Sequence, residues 1–154
     1  MIDTLPLWQI AMVLQATQAQ RLGLRGDYGI DYQLLNAARA RSLPIIELEG
    51  TDSQIALLRQ LPDDGLMLLD DTLTHWHTNA RLLQTMIGWW LDAPPEDGKL
   101  ALPSTFSESL YDVLMNARNK AWRQTLHALP AGHYVVAVGA LHLYGEGNLP
   151  SLLK

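Results

Sequence analysis

The chain has 154 residues, of which 48% are apolar and 18% charged, and its formal net charge is −5 at pH 7. This length and composition are typical of one globular domain with a sizeable hydrophobic core. The scattered Lys and Arg residues form no basic stripe, so we expect no nucleic-acid partner. The chain has no cysteine, which excludes disulfides, thiol catalysis and thiolate metal sites. No apolar segment reaches the ~20 residues of a transmembrane helix. We recognise no signal peptide in this sequence, and the compartment stays open.

The first sixty residues predict three helices. In the first, apolar residues recur at helical spacing after Pro6, and Gly23 is its expected end. Asp31 lies near the start of the second helix, where its carboxylate stabilises the positive end of the helix dipole. The third helix is short, with Thr51 or Asp52 as its cap and Pro62 as its end.

Two short apolar segments, 44–48 and 134–138, read as strands that are buried on both faces. Glu49 stands at the carboxyl end of the first, and Gly139 ends the second. We therefore expect a helix-rich α/β fold with a few, mostly parallel, buried strands. Two strands cannot cover each other's edges, so the sheet is incomplete unless missing chain or another copy supplies the rest. This shortage favours a fragment of a larger domain.

The longest regular pattern predicts one long helix between residues 66 and 90. Its apolar residues are spaced alternately by three and four, as in the seam of a coiled coil. The seam consists of Leu66, Leu69, Leu73, Trp76, Ala80, Leu83, Ile87 and Trp90. Packing within a helical layer and contact with a second chain, as in a homodimer, both fit this pattern. The segment 93–103 that follows it contains three prolines and reads as a loop.

A further helix is predicted from the capping-box pair Thr105 and Glu108 to about Leu126. Arg118 and Trp122 are four residues apart on this helix, so the guanidinium is expected to pack over the indole ring.

His142 follows the second predicted strand, between Gly139 and Gly145. A side chain just past the carboxyl end of a buried strand occupies the usual ligand position of an open α/β sheet. The alternative is that His142 only hydrogen-bonds a neighbouring loop. His75 and His77 are two residues apart and face different sides of a helix, so we interpret them as solvated surface rather than as a metal site.

These motifs, taken together, resemble the TraB/GumN family, which also includes the Tiki membrane-bound proteases. The run from Gly139 through His142 to Gly145 looks like the family's second Gly-x-x-His motif, and Arg118-Asn119 looks like its Arg-Asn segment. Further matching segments are Leu5-Pro6-Leu7-Trp8, Gly29-Ile30-Asp31 and Leu48-Glu49 followed by Gln54. The likeness spans nearly all of the chain.

One departure from the family pattern is informative. Members carry an earlier Gly-x-x-His motif on an N-terminal strand, with a glutamate shortly after it. The only Gly-x-x-His here is Gly139 to His142. The sequence therefore looks like the C-terminal part of a longer protein.

The resemblance implies a metal-dependent peptide hydrolase, with a divalent metal such as Mn, Co or Zn and a peptide as substrate. His142 would be a metal ligand, Arg118 would stabilise an oxyanion or hold a carboxylate, and Asn119 would orient either group. Gly139 would let the backbone pass close to the metal or substrate. Glu49 is a weaker candidate, as a supporting carboxylate.

Two other classes of function fit the sequence. One is a non-catalytic protein that sequesters a peptide or small ligand, and the other is an interaction module that uses the 66–90 seam. On the hydrolase hypothesis, the chain alone is expected to be inactive or nearly so, because one histidine does not make a catalytic metal site.

Overall fold

A computed structural model describes residues 2–93 and 106–154 of the chain. The α-helices in these residues are α1 (Leu7–Arg21), α2 (Ile30–Ala40), α3 (Thr51–Arg59), α4 (Leu66–Thr74), α5 (Trp76–Asp92), α6 (Glu108–Tyr111), α7 (Ala117–His127) and α8 (Leu149–Leu152). Short 3-10 turns cover Ile2–Thr4, Gly26–Tyr28, Pro62–Gly65 and Ala140–Leu143. No helix in the described ranges has both the length and the apolar character needed to cross a membrane.

The hydrophobic core lies where α1 packs against α4, with α6 and the turn after it closing one side. Its buried residues are Ala11, Leu61, Leu68, Leu110, Leu114 and Met115. The apolar spacing that predicted the first helix thus also supplies one wall of the core. The bounds of α1, α2 and α3 confirm the three helices predicted in the first sixty residues.

The start of α1 is held by the turn that precedes α4. The Asp64 carboxylate accepts a hydrogen bond from the Leu7 backbone N–H at 3.1 Å, which satisfies one of the open donors of the first helical turn. Gly65 has φ +85°, and a Cβ there would lie 2.6 Å from Cβ of Trp8. The close approach of α1 and α4 at this end therefore requires glycine.

The prediction of an α/β fold with buried parallel strands is wrong, because the described residues contain no strand. Segments 44–48 and 134–138 are irregular, and the apolar side chains that were expected to be buried are largely exposed. A strand needs a neighbour to accept its backbone hydrogen bonds, and an apolar run shows only that burial is favourable. In the parts of the chain that the structure describes, neither segment has such a neighbour.

The long helix predicted from residues 66 to 90 is also wrong, since it is divided into α4 and α5. His75 separates them with non-helical angles of φ −99° and ψ 21°. The Gln18 side chain donates to the Trp76 carbonyl at 2.7 Å, immediately after the break. The interruption leaves the apolar spacing unchanged, so the sequence pattern did not reveal it.

The helix predicted before residue 126 is confirmed, with an irregularity in its middle. Residues Glu108–Tyr111 and Ala117–His127 are α-helical, and Asp112–Asn116 between them form a π-helical turn. The Asp71 carboxylate accepts a hydrogen bond from the Ser107 N–H at 2.6 Å and so caps this helix from α4. Thr105 and most of the predicted 93–103 loop lie outside the described residues. Single π turns are frequent near functional sites, and Arg118 and Asn119 follow this one directly.

Candidate functional site

The candidate site is built around a buried pair, His142 and Asn119. His142 lies in the 3-10 turn Ala140–Leu143 and is 5% exposed, while Asn119 lies on α7 and is 2% exposed. The His142 Nδ1 and Asn119 Oδ1 atoms are 2.6 Å apart. The Asn119 amide nitrogen donates to the Gly147 carbonyl at 3.1 Å, which fixes the orientation of the amide. We therefore assign the proton of the neutral imidazole to Nδ1, which donates to Oδ1.

This assignment leaves Nε2 of His142 as the ring atom with a free lone pair. Nε2 makes no hydrogen bond within the described parts of the chain. His142 lines a cavity of about 500 Å³. His142 therefore presents an oriented nitrogen acceptor that could bind a metal ion, accept a proton or accept a hydrogen bond from a ligand.

The pKa of His142 is lowered from 6.5 to about 4, chiefly because burial disfavours the charged ring. The positive charge of Arg118 contributes to this lowering, and the negative charge of Glu49 opposes it. The imidazole is consequently neutral near pH 7, and its Nε2 lone pair is available there.

Arg118 and Glu49 form an ion pair beside this histidine. The Arg118 Nε and Nη2 atoms donate to the two Glu49 carboxylate oxygens at 3.1 and 2.7 Å, and Nη1 donates to the Leu114 carbonyl at 3.1 Å. A guanidinium has five N–H donors, so two are left over for a ligand once these three bonds are made. The pair is only slightly exposed, and it joins α7 to the segment that precedes α3.

The Trp122 indole contacts both the Arg118 guanidinium and the His142 ring. The Arg118 guanidinium carbon lies 5.0 Å from the ring centroid, which confirms the predicted contact at four-residue spacing. The His142 ring centroid lies 4.4 Å from that of Trp122, with the planes at 45°. This second contact was missed, because a separation of twenty residues carries no periodic signal. The Trp122 indole N–H is buried and unpaired within the described residues.

The glycine-rich loop after His142 brings a backbone acceptor to Asn119. Gly145 and Gly147 have φ values of +81° and +70°, a conformation that glycine adopts readily. The Asn148 side chain donates to the Gly145 carbonyl at 2.6 Å and accepts from the Ser151 N–H at 2.9 Å, so it also caps α8. The loop thereby fixes the Gly147 carbonyl that orients Asn119.

Of the remaining predicted site residues, Gly139 contacts His142 and Asp31 does not. Gly139 accepts a hydrogen bond from the His142 N–H at 2.9 Å. A Cβ at this glycine would lie 3.6 Å from the imidazole, an ordinary contact, so the described chain alone does not require glycine there. Asp31 is exposed in the first turn of α2, and no hydrogen bond or ion pair connects it with the site within the described ranges.

The cavity beside His142 lies between α1, α3, α5 and the Ala140–Leu143 turn, and most of its lining is apolar. Gln18 on α1 lines it and is buried. The Gln18 amide nitrogen is used by the Trp76 carbonyl, and its carbonyl oxygen has no hydrogen bond to the described residues. The site therefore has an apolar wall with polar groups at Gln18, Arg118 and His142, a lining typical of a ligand pocket.

The residues present fit one position of a metal site. His142 is neutral and its Nδ1 is bound by Asn119, as for histidines that ligate metals through Nε2. Glu49 is held by Arg118 through both of its oxygens, so it is not free to ligate. Among the described residues no group of three or more His, Cys, Asp or Glu could hold a metal ion. A complete centre would need ligands from elsewhere.

Comparison with known proteins places the chain in a family. All of its residues, 1–154, match the TraB/PrgY/gumN family. It is 71% identical over 154 residues to proteins from Escherichia coli K12 and Shigella flexneri, each named "Uncharacterized protein YbaP". The match covers the whole chain and 58% of each relative's length. No solved structure matches it. The chain belongs to the TraB/PrgY/gumN family.

Proposed function

We propose that the chain contributes part of the active site of a divalent-metal-dependent hydrolase that cleaves peptides. In this proposal His142 supplies one metal ligand through Nε2, and groups outside the described residues supply the others. The observation that carries the proposal is the buried pair of His142 and Asn119, whose hydrogen bond leaves Nε2 unprotonated beside a cavity.

The surroundings of His142 support a ligand role. A neutral imidazole whose other nitrogen donates to a fixed oxygen is the usual form of a metal-binding histidine. A bound divalent metal would polarise a scissile carbonyl and lower the pKa of a bound water to about 7. The adjacent Arg118 charge is compensated by Glu49, which limits its repulsion of a cation.

Arg118 has the features of a group that binds substrate. Glu49 and the Leu114 carbonyl hold its guanidinium through three hydrogen bonds. The two remaining N–H donors can bind a carboxylate or the oxygen of a developing oxyanion. Because the guanidinium is held before a ligand arrives, little side-chain freedom is lost on binding. We assign to Asn119 the positioning of His142, and to Glu49 the positioning of Arg118.

A second candidate, capture of a ligand without chemistry, is favoured by the cavity itself. A volume of about 500 Å³ with a mainly apolar lining falls in the range of small-molecule pockets, ~300–1,000 Å³. A peptide side chain or small ligand would bind there through apolar contact and through the free acceptors of Gln18 and His142. Turnover of the bound molecule separates this candidate from the hydrolase.

The test uses a chimera in which this chain replaces the matched residues of the E. coli relative, a conservative exchange at 71% identity. A mixture of fluorogenic peptides serves as substrate, with chelator and then Mn²⁺, Co²⁺ or Zn²⁺ added back. We expect chelator to abolish hydrolysis and one of the metals to restore it. His142→Ala should lower kcat/KM by at least a hundredfold, whereas the matched control His77→Ala, at an exposed position, should leave it unchanged.

Three outcomes would contradict the proposal. Chelator-resistant hydrolysis would exclude a metal, and equal activity of the His142 and His77 variants would exclude the assigned ligand. Peptide binding without turnover by the chimera would favour capture instead. The chain by itself is expected to show no hydrolysis, and chelator-sensitive cleavage by it would imply a complete site within these residues.

A further inference from the structure

Two apolar segments of the described chain have nothing packed over them. In the first, residues 43–46, the side chains of Leu43, Ile45 and Ile46 are exposed. In the second, residues 134–136, all three side chains are exposed, and Val135 is 90% exposed. Contiguous exposed apolar residues of this kind mark an interaction surface more often than scattered ones do. We call residues 43–46 and 134–136 the docking face.

Both segments of the docking face lead to the candidate site. Three residues after the first segment, Glu49 binds Arg118. Six residues after the second, His142 binds Asn119. Arg118 and Asn119 are consecutive on α7, so Glu49 and His142, which follow the two segments, lie close together. We therefore expect a polypeptide that packs along both segments to extend towards His142.

The relatives contain further polypeptide, outside the match, that is available to cover this face. The whole chain matches only 58% of the length of the E. coli and S. flexneri proteins, so about two fifths of each relative lies outside the match. At about 25 cal/mol per Å² of apolar area removed from water, covering six large apolar side chains favours binding strongly.

We propose that the docking face binds the portion of polypeptide that the longer relatives carry outside the matched region. This portion packs on residues 43–46 and 134–136 and approaches His142 from that side. The docking itself does not depend on hydrolysis. Only the further step, in which the bound portion contributes metal ligands next to His142, rests on the proposed function.

The experiment coexpresses this chain with the polypeptide that makes up the E. coli relative outside its matched residues. Copurification and native mass spectrometry give the stoichiometry, and hydrogen exchange reports on the backbone amides of 134–138. We expect a one-to-one complex in which these amides are at least tenfold better protected than in the chain alone.

Matched variants test the position of the face. Val135→Glu and Ile46→Glu should each lower the yield of the complex at least tenfold. The controls are Leu91→Glu, at a 79% exposed position on α5, and Leu73→Glu, at a 57% exposed position on α4; both should leave the yield unchanged. All four side chains are exposed, and circular dichroism of each variant verifies that the chain is folded.

Several results would overturn the proposal. They are a folded chain that forms no complex, a complex that Val135→Glu does not weaken, and a homodimer that protects the same amides in place of the complex. Calorimetric titration of Mn²⁺, Co²⁺ and Zn²⁺ into the complex addresses the proposed function separately. A complex that takes up no metal would uphold the docking face and contradict the metal site. Absence of a complex alongside chelator-sensitive activity of the chimera would do the reverse.

Discussion

Acidification should destabilise the chain through His142, and His142→Gln should remove that effect. The pKa of this histidine falls from 6.5 to about 4 in the folded chain, because the ring is buried and lies near Arg118. Below pH 6.5 the unfolded chain therefore binds a proton that the folded chain does not bind until about pH 4. The resulting stability is present above pH 6.5 and is lost as the pH falls from 6.5 towards 4.

The magnitude follows from these two pKa values. When His142 is fully protonated in the unfolded chain and neutral in the folded chain, the free energy of unfolding falls by about 3 kcal/mol. This follows from about 1.36 kcal/mol per unit of difference between the two pKa values. Between pH 7 and pH 5, linkage gives a loss of roughly 2 kcal/mol in the free energy of unfolding. Loss of the hydrogen bond to Asn119 in His142→Gln adds a cost that is the same at both pH values, so it cancels in the comparison.

The assay is urea unfolding of the wild-type chain and His142→Gln at pH 7 and pH 5, followed by tryptophan fluorescence. The wild-type advantage over the variant should shrink by roughly 2 kcal/mol on acidification. His127→Gln, at an exposed histidine, is the matched control. An advantage of the same size at both pH values would refute the reasoning, since it would mean that His142 titrates alike in the folded and unfolded chains.

Four further substitutions test the electrostatics and the packing. Arg118→Met should raise the pKa of His142, because the Glu49 charge then acts alone, and Glu49→Gln should lower it; NMR titration of the imidazole signals checks both, and shifts of the same sign would contradict the assignment. Gly65→Ala should lower the free energy of unfolding by about 2 kcal/mol or more, because its φ is positive and its Cβ would collide with α1. Gly88→Ala, within α5 and with open space around it, should instead raise that free energy by about 0.5–1 kcal/mol in the same urea assay. A Gly65→Ala variant as stable as Gly88→Ala would disprove the close packing.

The helices could be predicted from the sequence because their signals are local. Apolar spacing and turn residues specified α1 to α3, and the four-residue spacing of Arg118 and Trp122 specified their stacking. The prediction of strands was wrong because a strand needs a neighbouring segment for its backbone hydrogen bonds. The apolar pattern of 134–138 carries no information about such a neighbour. The break at His75 leaves the apolar spacing intact, so periodicity could not reveal it.

The site was predictable by residue type but not by arrangement. Family resemblance singled out Glu49, Arg118, Asn119 and His142, and the structure brings these four together. The resemblance also singled out Asp31, which has no hydrogen bond or ion pair with them among the described residues. The resemblance did not show that Asn119 hydrogen-bonds His142, or that the Gly147 carbonyl fixes the orientation of the Asn119 amide. Such contacts join residues more than twenty positions apart, so only the folded chain reveals them.

Burial is the main reason that the His142 imidazole stays neutral, and two neighbouring residues of α7 help to keep it so beside a carboxylate. If Glu49 were unpaired, its negative charge would favour a protonated His142, and Nε2 would lose its lone pair. Arg118 instead engages both carboxylate oxygens, and its own charge opposes protonation of the ring. Asn119, one residue further on, offers the ring a neutral acceptor. A carboxylate in that place would attract a proton to the imidazole, whereas an amide orients the ring and leaves Nε2 available to a metal ion or a substrate.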